Sequence, residues 1–231
     1  MIPYADPAAL IDDPRVLGVP ITDNGEPLID ARTLTALAVD QSRADVQQLS
    51  DNPFHVRAGV AEKLTRAQAA LPDGYQLQVK EGWRPIWVQQ RLWNLCLDQL
   101  QARRPDLTPE QARRENARFV APPGTAPPHS TGGAVDLALV HDGRTADMGW
   151  GFNQPGDGSR TAAPVTKAAR RHRDILTSAM DAAGFINYPA EWWHWSHGDR
   201  YWAFQTGHGT TLYGPRLDAA RQAPNPNSQI H

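Results

Sequence analysis

The sequence predicts a single domain that mixes helices and strands, and three observations predict it. Its 231 residues suit one core of ordinary size. Several stretches place apolar residues at the 3,4 spacing of an amphipathic helix. Between them lie short runs, "YQLQVKE" and "AVDLALV", that alternate or stay apolar over strand-like lengths. With 40% hydrophobic and 21% charged residues and a formal net charge of -2, the composition is that of a globular protein.

Taken in order, the first fifty residues carry turn chemistry in "DNGEP" and a mixed segment, "TLTALAVDQ", with no clean period, and read as a layer of loop and strand. Val56, Val60, Leu64, Ala67 and Leu71 then define a helix, stopped by "PDG" at 72–74. "YQLQVKE" reads as a strand. After the turn "GWRP", residues 86–103 are rich in Leu and Trp and free of Gly and Pro, so a second helix is expected there with its apolar face in the core. Thr108 at an N-cap, Pro109 behind it and Glu110 next start a third helix, and "VAPPGTAPP" interrupts regular structure.

In "AVDLALV" a period of two puts Ala134, Asp136 and Ala138 on one face, and Val135, Leu137 and Leu139 on the other. Asp136 thus points away from the bulky layer. A long Gly-rich loop, "HDGRTADMGWGFNQPGDGSR", precedes a basic helix from Lys167 to Ala183, for which Gly184 is the stop. "FINYPAEWWHWS" reads as two short strands around a turn at Pro189. Residues 1–213 are expected to form the domain and 214–231, with "APNPNSQ", a flexible tail.

Several function classes are disfavoured. There is no excess of Lys and Arg of the kind nucleic-acid binding favours. No window approaches the roughly 18 apolar residues of a membrane span, and "MIPYADPAALIDDPRV" lacks the basic start and apolar stretch of a signal peptide. The single cysteine, Cys96, cannot form an internal disulfide and reads as a buried small side chain. A cytoplasmic protein is expected.

One constellation carries chemistry. "HSTGGAVD" sets His129 seven positions before Asp136, and "EWWH" ends on His194 with Glu191 three residues earlier. Singly, each is an ordinary hydrogen-bonding residue. Jointly, two imidazoles and one carboxylate are the protein ligands of a catalytic zinc site whose fourth position is left to water. Gly132 and Gly133 let the backbone turn tightly between a loop histidine and a strand aspartate. The other histidines lack this context, although His197, three residues after His194, is a possible substitute ligand. Trp192, Trp193 and Trp195 read as packing and site lining.

"HSTGGAVD" and "EWWH", with "GWRP" upstream and "MGWGF" after the metal loop, resemble the signatures of the zinc D-alanyl-D-alanine dipeptidases of the vancomycin-resistance type, within a wider D-Ala-D-Ala peptidase and hedgehog-like superfamily. The resemblance spans roughly residues 72–205. It implies an α+β fold in which a small, mainly antiparallel sheet carries the zinc site and helices flank it. It implies one Zn²⁺ per chain on His129, Asp136 and His194, and a small dipeptide as substrate. Glu191 would move a proton from the attacking water to the leaving amine, and Arg84 would stabilise the oxyanion. Trp193 and Asn153 fall at substrate-binding positions. Two residues depart from the family pattern: Pro127 replaces a serine, and Asn153 replaces the aspartate that holds the substrate's ammonium, a task Asp147 or Asp157 could take over. The same superfamily also holds D,D-carboxypeptidases and other peptidoglycan-peptide hydrolases, which usually act after export, and non-catalytic zinc-stabilised binding modules, which need neither Glu191 nor Arg84.

Overall fold

The 3,4 spacing and the alternating runs become helices and strands where expected, with informative shifts at their ends. The computed structural model describes residues 4–42, 50, 52–154 and 156–216. Within the N-terminal layer, helix α1 (Pro14–Leu17) is followed by strands β1 (Leu28–Asp30) and β2 (Ala38–Val39). Strand β3 (His55–Arg57) leads straight into α2 (Ala58–Ala69), so Val56 lies on a strand and not on the helix its spacing suggested. Register explains the difference: Val56 pairs with Ile29 of β1, and tertiary pairing overrides a helical period that starts two residues early.

Strand β4 (Tyr75–Glu81) and helix α3 (Ile86–Arg103) have the expected bounds, and helix α4 (Pro109–Ala117) has the expected start. A reciprocal cap starts α4: Thr108 accepts from the Gln111 backbone, and Gln111 accepts from the Thr108 backbone. Among the described residues, the apolar face of α3 is not part of either buried cluster. Val88 and Gln89 are its buried residues, Leu95 is exposed, and Val88, Leu92 and Cys96 line a cavity. The proline-rich stretch holds a 3-10 turn at Pro123–Thr125 and ends in one turn of α-helix, α5 (Pro128–Thr131), so His129 sits on a short helix and not in a loop.

Strand β5 (Ala134–His141) is buried over most of its length, and β6 (Arg144–Thr145) folds back on its end. Helix α6 (Lys167–Ala182), strands β7 (Ile186–Asn187) and β8 (His194–Ser196), and helix α7 (Arg200–Thr206) complete the elements. The main sheet runs β2-β4-β5-β8-β7, with β2 parallel to β4 and the remaining pairs antiparallel; β6 adds to β5. A separate pair joins β1 to β3.

Helices α2 and α6 cover one side of this sheet. Val60, Leu64, Leu176 and Met180 pack there with Leu77, Val79, Val135, Leu137 and Leu139 in one buried cluster. A second cluster packs the N-terminal Ala9 and Val16 against Tyr188, Tyr201 and Trp202. One buried cation ties distant segments together: Arg57 Nε donates to Thr131 O (2.7 Å), Nη1 to Glu26 O (2.7 Å), and Nη2 to Asp23 Oδ2 (2.6 Å) and Gly214 O (3.0 Å). Gly214 donates in turn to Asp23, and the Arg216 backbone donates to Ser130 O. Of the expected tail, 214–231, Gly214 and Arg216 are held to the domain by these bonds, and residues from 217 onward lie outside the described residues.

Candidate metal centre

Sheet register assembles this site. Across three neighbouring strands Glu81 stands opposite Asp136, and Asp136 opposite His194, where a bulge between Val79 and Glu81 shifts the end of β4. His129 arrives from α5, delivered by the turn at Gly132. That glycine has φ +74°, which is the tight turn the spacing suggested; Gly133 is required for a different reason, since a Cβ on it would lie 2.4 Å from the His197 carbonyl.

The result is a triangle of ligand atoms. His129 Nε2, Asp136 Oδ1 and His194 Nδ1 stand 3.1 to 3.3 Å from one another, and all three residues are buried. Four donors at ordinary zinc bond lengths stand roughly 3.3 to 3.5 Å apart, so the set fits such an ion. The tautomer agrees. His129 Nδ1 lies 2.8 Å from the Gly82 carbonyl, which can only accept, so the proton is on Nδ1 and the Nε2 lone pair faces the triangle. Burial alone would favour a neutral Asp136, yet His129 and His194 beside it hold its carboxyl far below the usual range. A cation is what two inward imidazole nitrogens and a buried carboxylate can share.

Glu191 follows Tyr188 in the turn between β7 and β8, and its backbone carbonyl accepts from the His194 amide. Its side chain lines the same cavity, where burial pushes its carboxyl up to about 7. Arg84 enters from the turn before α3. Its Nε and Nη2 donate to the two carboxylate oxygens of Glu81 at 2.6 and 2.8 Å, and Nη1 donates to Gln89 Oε1 at 2.9 Å. Despite burial, Glu81 holds Arg84 charged beyond its ordinary range. Gln89 donates in turn to the Ala121 carbonyl at 2.7 Å.

The cavity encloses about 970 Å³ of empty space, counting the part open to solvent. His129, Asp136, His194, Glu191 and Arg84 all line it, as do Trp193, Asn153 and Pro127. Asp147 and Asp157 are not on its walls; Asp147 is exposed and accepts from the Gly149 amide. His197 is not a fourth partner. It is buried among Phe185, Trp202 and Tyr213, where burial depresses its imidazole to about 3. Trp192, Trp193 and Trp195 all belong to the buried core cluster, and Trp193 also packs edge-on against Phe152 and lines the cavity. Sequence reasoning passed over Glu81 and Gln89. The available signal was an acid three residues before the arginine in "KEGWRP".

A buried ligand triangle with a carboxyl and a locked guanidinium on one cavity wall is the equipment of a metal-dependent hydrolase. Comparison with known proteins narrows the class: the D-ala-D-ala dipeptidase family model matches residues 45–208, and the chain belongs to that family. It is 34% identical over 223 residues to a D-alanyl-D-alanine dipeptidase of Synechocystis sp., covering 82% of this chain and 89% of that protein. A D-alanyl-D-alanine dipeptidase of Escherichia coli is 31% identical over 137 residues, covering 58% of this chain and 60% of that one. Among solved structures, VanYB in complex with D-alanine-D-alanine matches with a TM-score of 0.41 and 22% identity, covering 76% of this chain and 93% of that one.

Proposed function

We propose that the chain is a zinc-dependent dipeptidase acting on D-Ala-D-Ala or a related D-amino-acid dipeptide. The observation that carries this reading is the convergence of His129, Asp136 and His194 with Glu191 and Arg84 on one cavity wall, in a chain of the D-Ala-D-Ala dipeptidase family. The three ligands would hold one zinc ion, which supplies Lewis acidity and a water acidified to a pKa of about 7.

The chain's own residues do the rest. Glu191 accepts a proton from the attacking water and returns it to the leaving amine, for which a carboxyl tuned near neutrality suits both directions. Arg84, fixed by Glu81 and Gln89, presents its charge toward the cavity, where negative charge develops on the scissile carbonyl oxygen. Asn153 and Trp193 line the substrate's place. A purely structural metal site would need neither Glu191 nor Arg84 in the cavity, which favours catalysis over a binding module.

Residues up to Arg216 are read as one domain, because Arg57 joins the N-terminal loop, α5 and Gly214. Among the described residues no helix is long and apolar enough to cross a membrane. A cytoplasmic place agrees with Cys96 as a free, half-buried thiol. The decisive experiment is a panel of L,L-, L,D- and D,D-dipeptides assayed with zinc and after chelation. Zinc-dependent cleavage confined to D,D-dipeptides is the expected outcome, and cleavage of L,L-dipeptides alone would overturn the reading.

A further inference from the structure

The cavity does not end at the ligand triangle. Val88, Leu92 and Cys96 recur every four residues along α3 and line its wall, continuing the row that starts at Arg84. Eight residues of helix rise about 12 Å, so this apolar stripe leads well away from the metal centre. Further lining comes from the end of α4 at Ala117 and the segment after it, including Val120 and Ala121. This stretch is fastened to α3 by Gln89, which donates to Ala121 O at 2.7 Å, and by Asn116, which donates to Trp93 O at 3.2 Å.

A two-residue peptide spans at most about 7 Å, and alanine methyl groups add little to that reach. The polar groups along the arm are already engaged: Gln89 bonds Arg84 and Ala121, and Arg118 pairs with Glu115 at 3.3 Å. Burial raises the Cys96 thiol above its ordinary range, against the lowering charges of Arg84 and Arg103, so the thiol itself is neutral. Val88 is buried, while Leu92 and Cys96 are half-buried and keep apolar surface open to the cavity, where an apolar group can be taken up.

We infer that this arm is a side-chain subsite and that the preferred substrate is a D,D-dipeptide carrying one apolar side chain of leucine or phenylalanine size. The inference rests on the dipeptidase reading above and names the substrate class of the same site. D-Ala-D-Ala would leave the arm unfilled, and a larger apolar residue would displace water from it.

The test uses the zinc-loaded full chain with D-Ala-D-Ala, D-Ala-D-Leu, D-Leu-D-Ala, D-Ala-D-Phe and D-Phe-D-Ala. The expected result is a kcat/KM about tenfold higher than that of D-Ala-D-Ala for at least one bulky dipeptide, the scale set by filling an apolar pocket. Cys96→Phe, which fills the far end, should lower the ratio of bulky to small substrate. A readout independent of turnover comes from the single cysteine: D-Leu or D-Phe should slow alkylation of Cys96, and D-Ala should not. If D-Ala-D-Ala is cleaved at least as well as every bulky dipeptide and D-Leu leaves alkylation unchanged, the inference falls while the dipeptidase reading stands. If none of the five dipeptides is cleaved, both fall.

Discussion

Glu81 grips Arg84 with both carboxylate oxygens, at 2.6 and 2.8 Å, from a position three residues earlier in the chain. The grip orients a planar fork, and a lysine ammonium cannot reproduce its fixed donors. Arg84→Lys and Glu81→Gln are therefore both expected to lower kcat by at least about tenfold with zinc content unchanged. Steady-state kinetics beside metal analysis checks this. Turnover near wild type in Arg84→Ala would remove that residue from the mechanism.

Metal content tests the triangle directly. The purified protein should hold about one zinc per chain, and His129→Ala, Asp136→Ala and His194→Ala should each release it, because three protein ligands leave no spare donor. Elemental analysis after dialysis is the measurement. Full occupancy in all three variants would sink the assignment.

Removing the proposed base should separate metal from rate. Glu191→Gln is expected to keep its zinc and lose at least about a hundredfold in turnover, the usual scale of general acid and base catalysis. Loss of zinc instead would make Glu191 a ligand.

The same carboxyl sets a pH dependence in the metal-free protein. Burial pushes it up to about 7 in the folded chain, above its ordinary 4.5, so its contribution to stability is fully present below about pH 4.5 and is lost as pH rises through 7. Glu191→Gln cannot ionise, so it should gain on wild type by on the order of 1 to 2 kcal/mol between pH 5 and pH 8, discounting for partial exposure to the cavity. Denaturant unfolding at the two pH values decides it, and a constant difference would refute the shift.

Asn153 concerns specificity. It holds a left-handed backbone, φ +54°, on the cavity wall, and aspartate tolerates that conformation equally well. Asn153→Asp should raise kcat/KM for free D-Ala-D-Ala roughly tenfold, about 1.4 kcal/mol, and do little for N-acetyl-D-Ala-D-Ala. An unchanged ratio of the two would mean that the ammonium is bound elsewhere than at Asn153.

Local chemistry was readable wherever it acts within a few residues. The bounds of β4 and α3, and the start of α4 at Pro109 behind the Thr108 cap, follow from period, turn residues and caps. His129, Asp136, His194, Glu191 and Arg84 could be named from two short motifs and a turn. What stayed hidden depends on register and packing. Val56 reads as helical until β1 pairs with it, and the stripe on α3 reads as core until it is seen to line a cavity together with the 117–121 segment. Glu81 ends an ordinary strand pattern, and only the bulge and the pairing with Asp136 bring it beside Arg84. His197 shares its motif with His194, yet its ring lies among aromatic core residues, which sequence spacing does not reveal.

The Arg57 guanidinium touches Thr131, two residues from a proposed metal ligand, and Gly214, near the end of the described chain. Through that single ion the free energy of holding His129 in place is shared with the free energy of docking residue 214, and such sharing is reciprocal. Whatever cation steadies α5 must favour the docked state of the segment around Gly214 by the same free energy, and loosening that segment must weaken the hold on the cation. Residue 214 is thus tied into the affinity of a site to which it contributes no ligand.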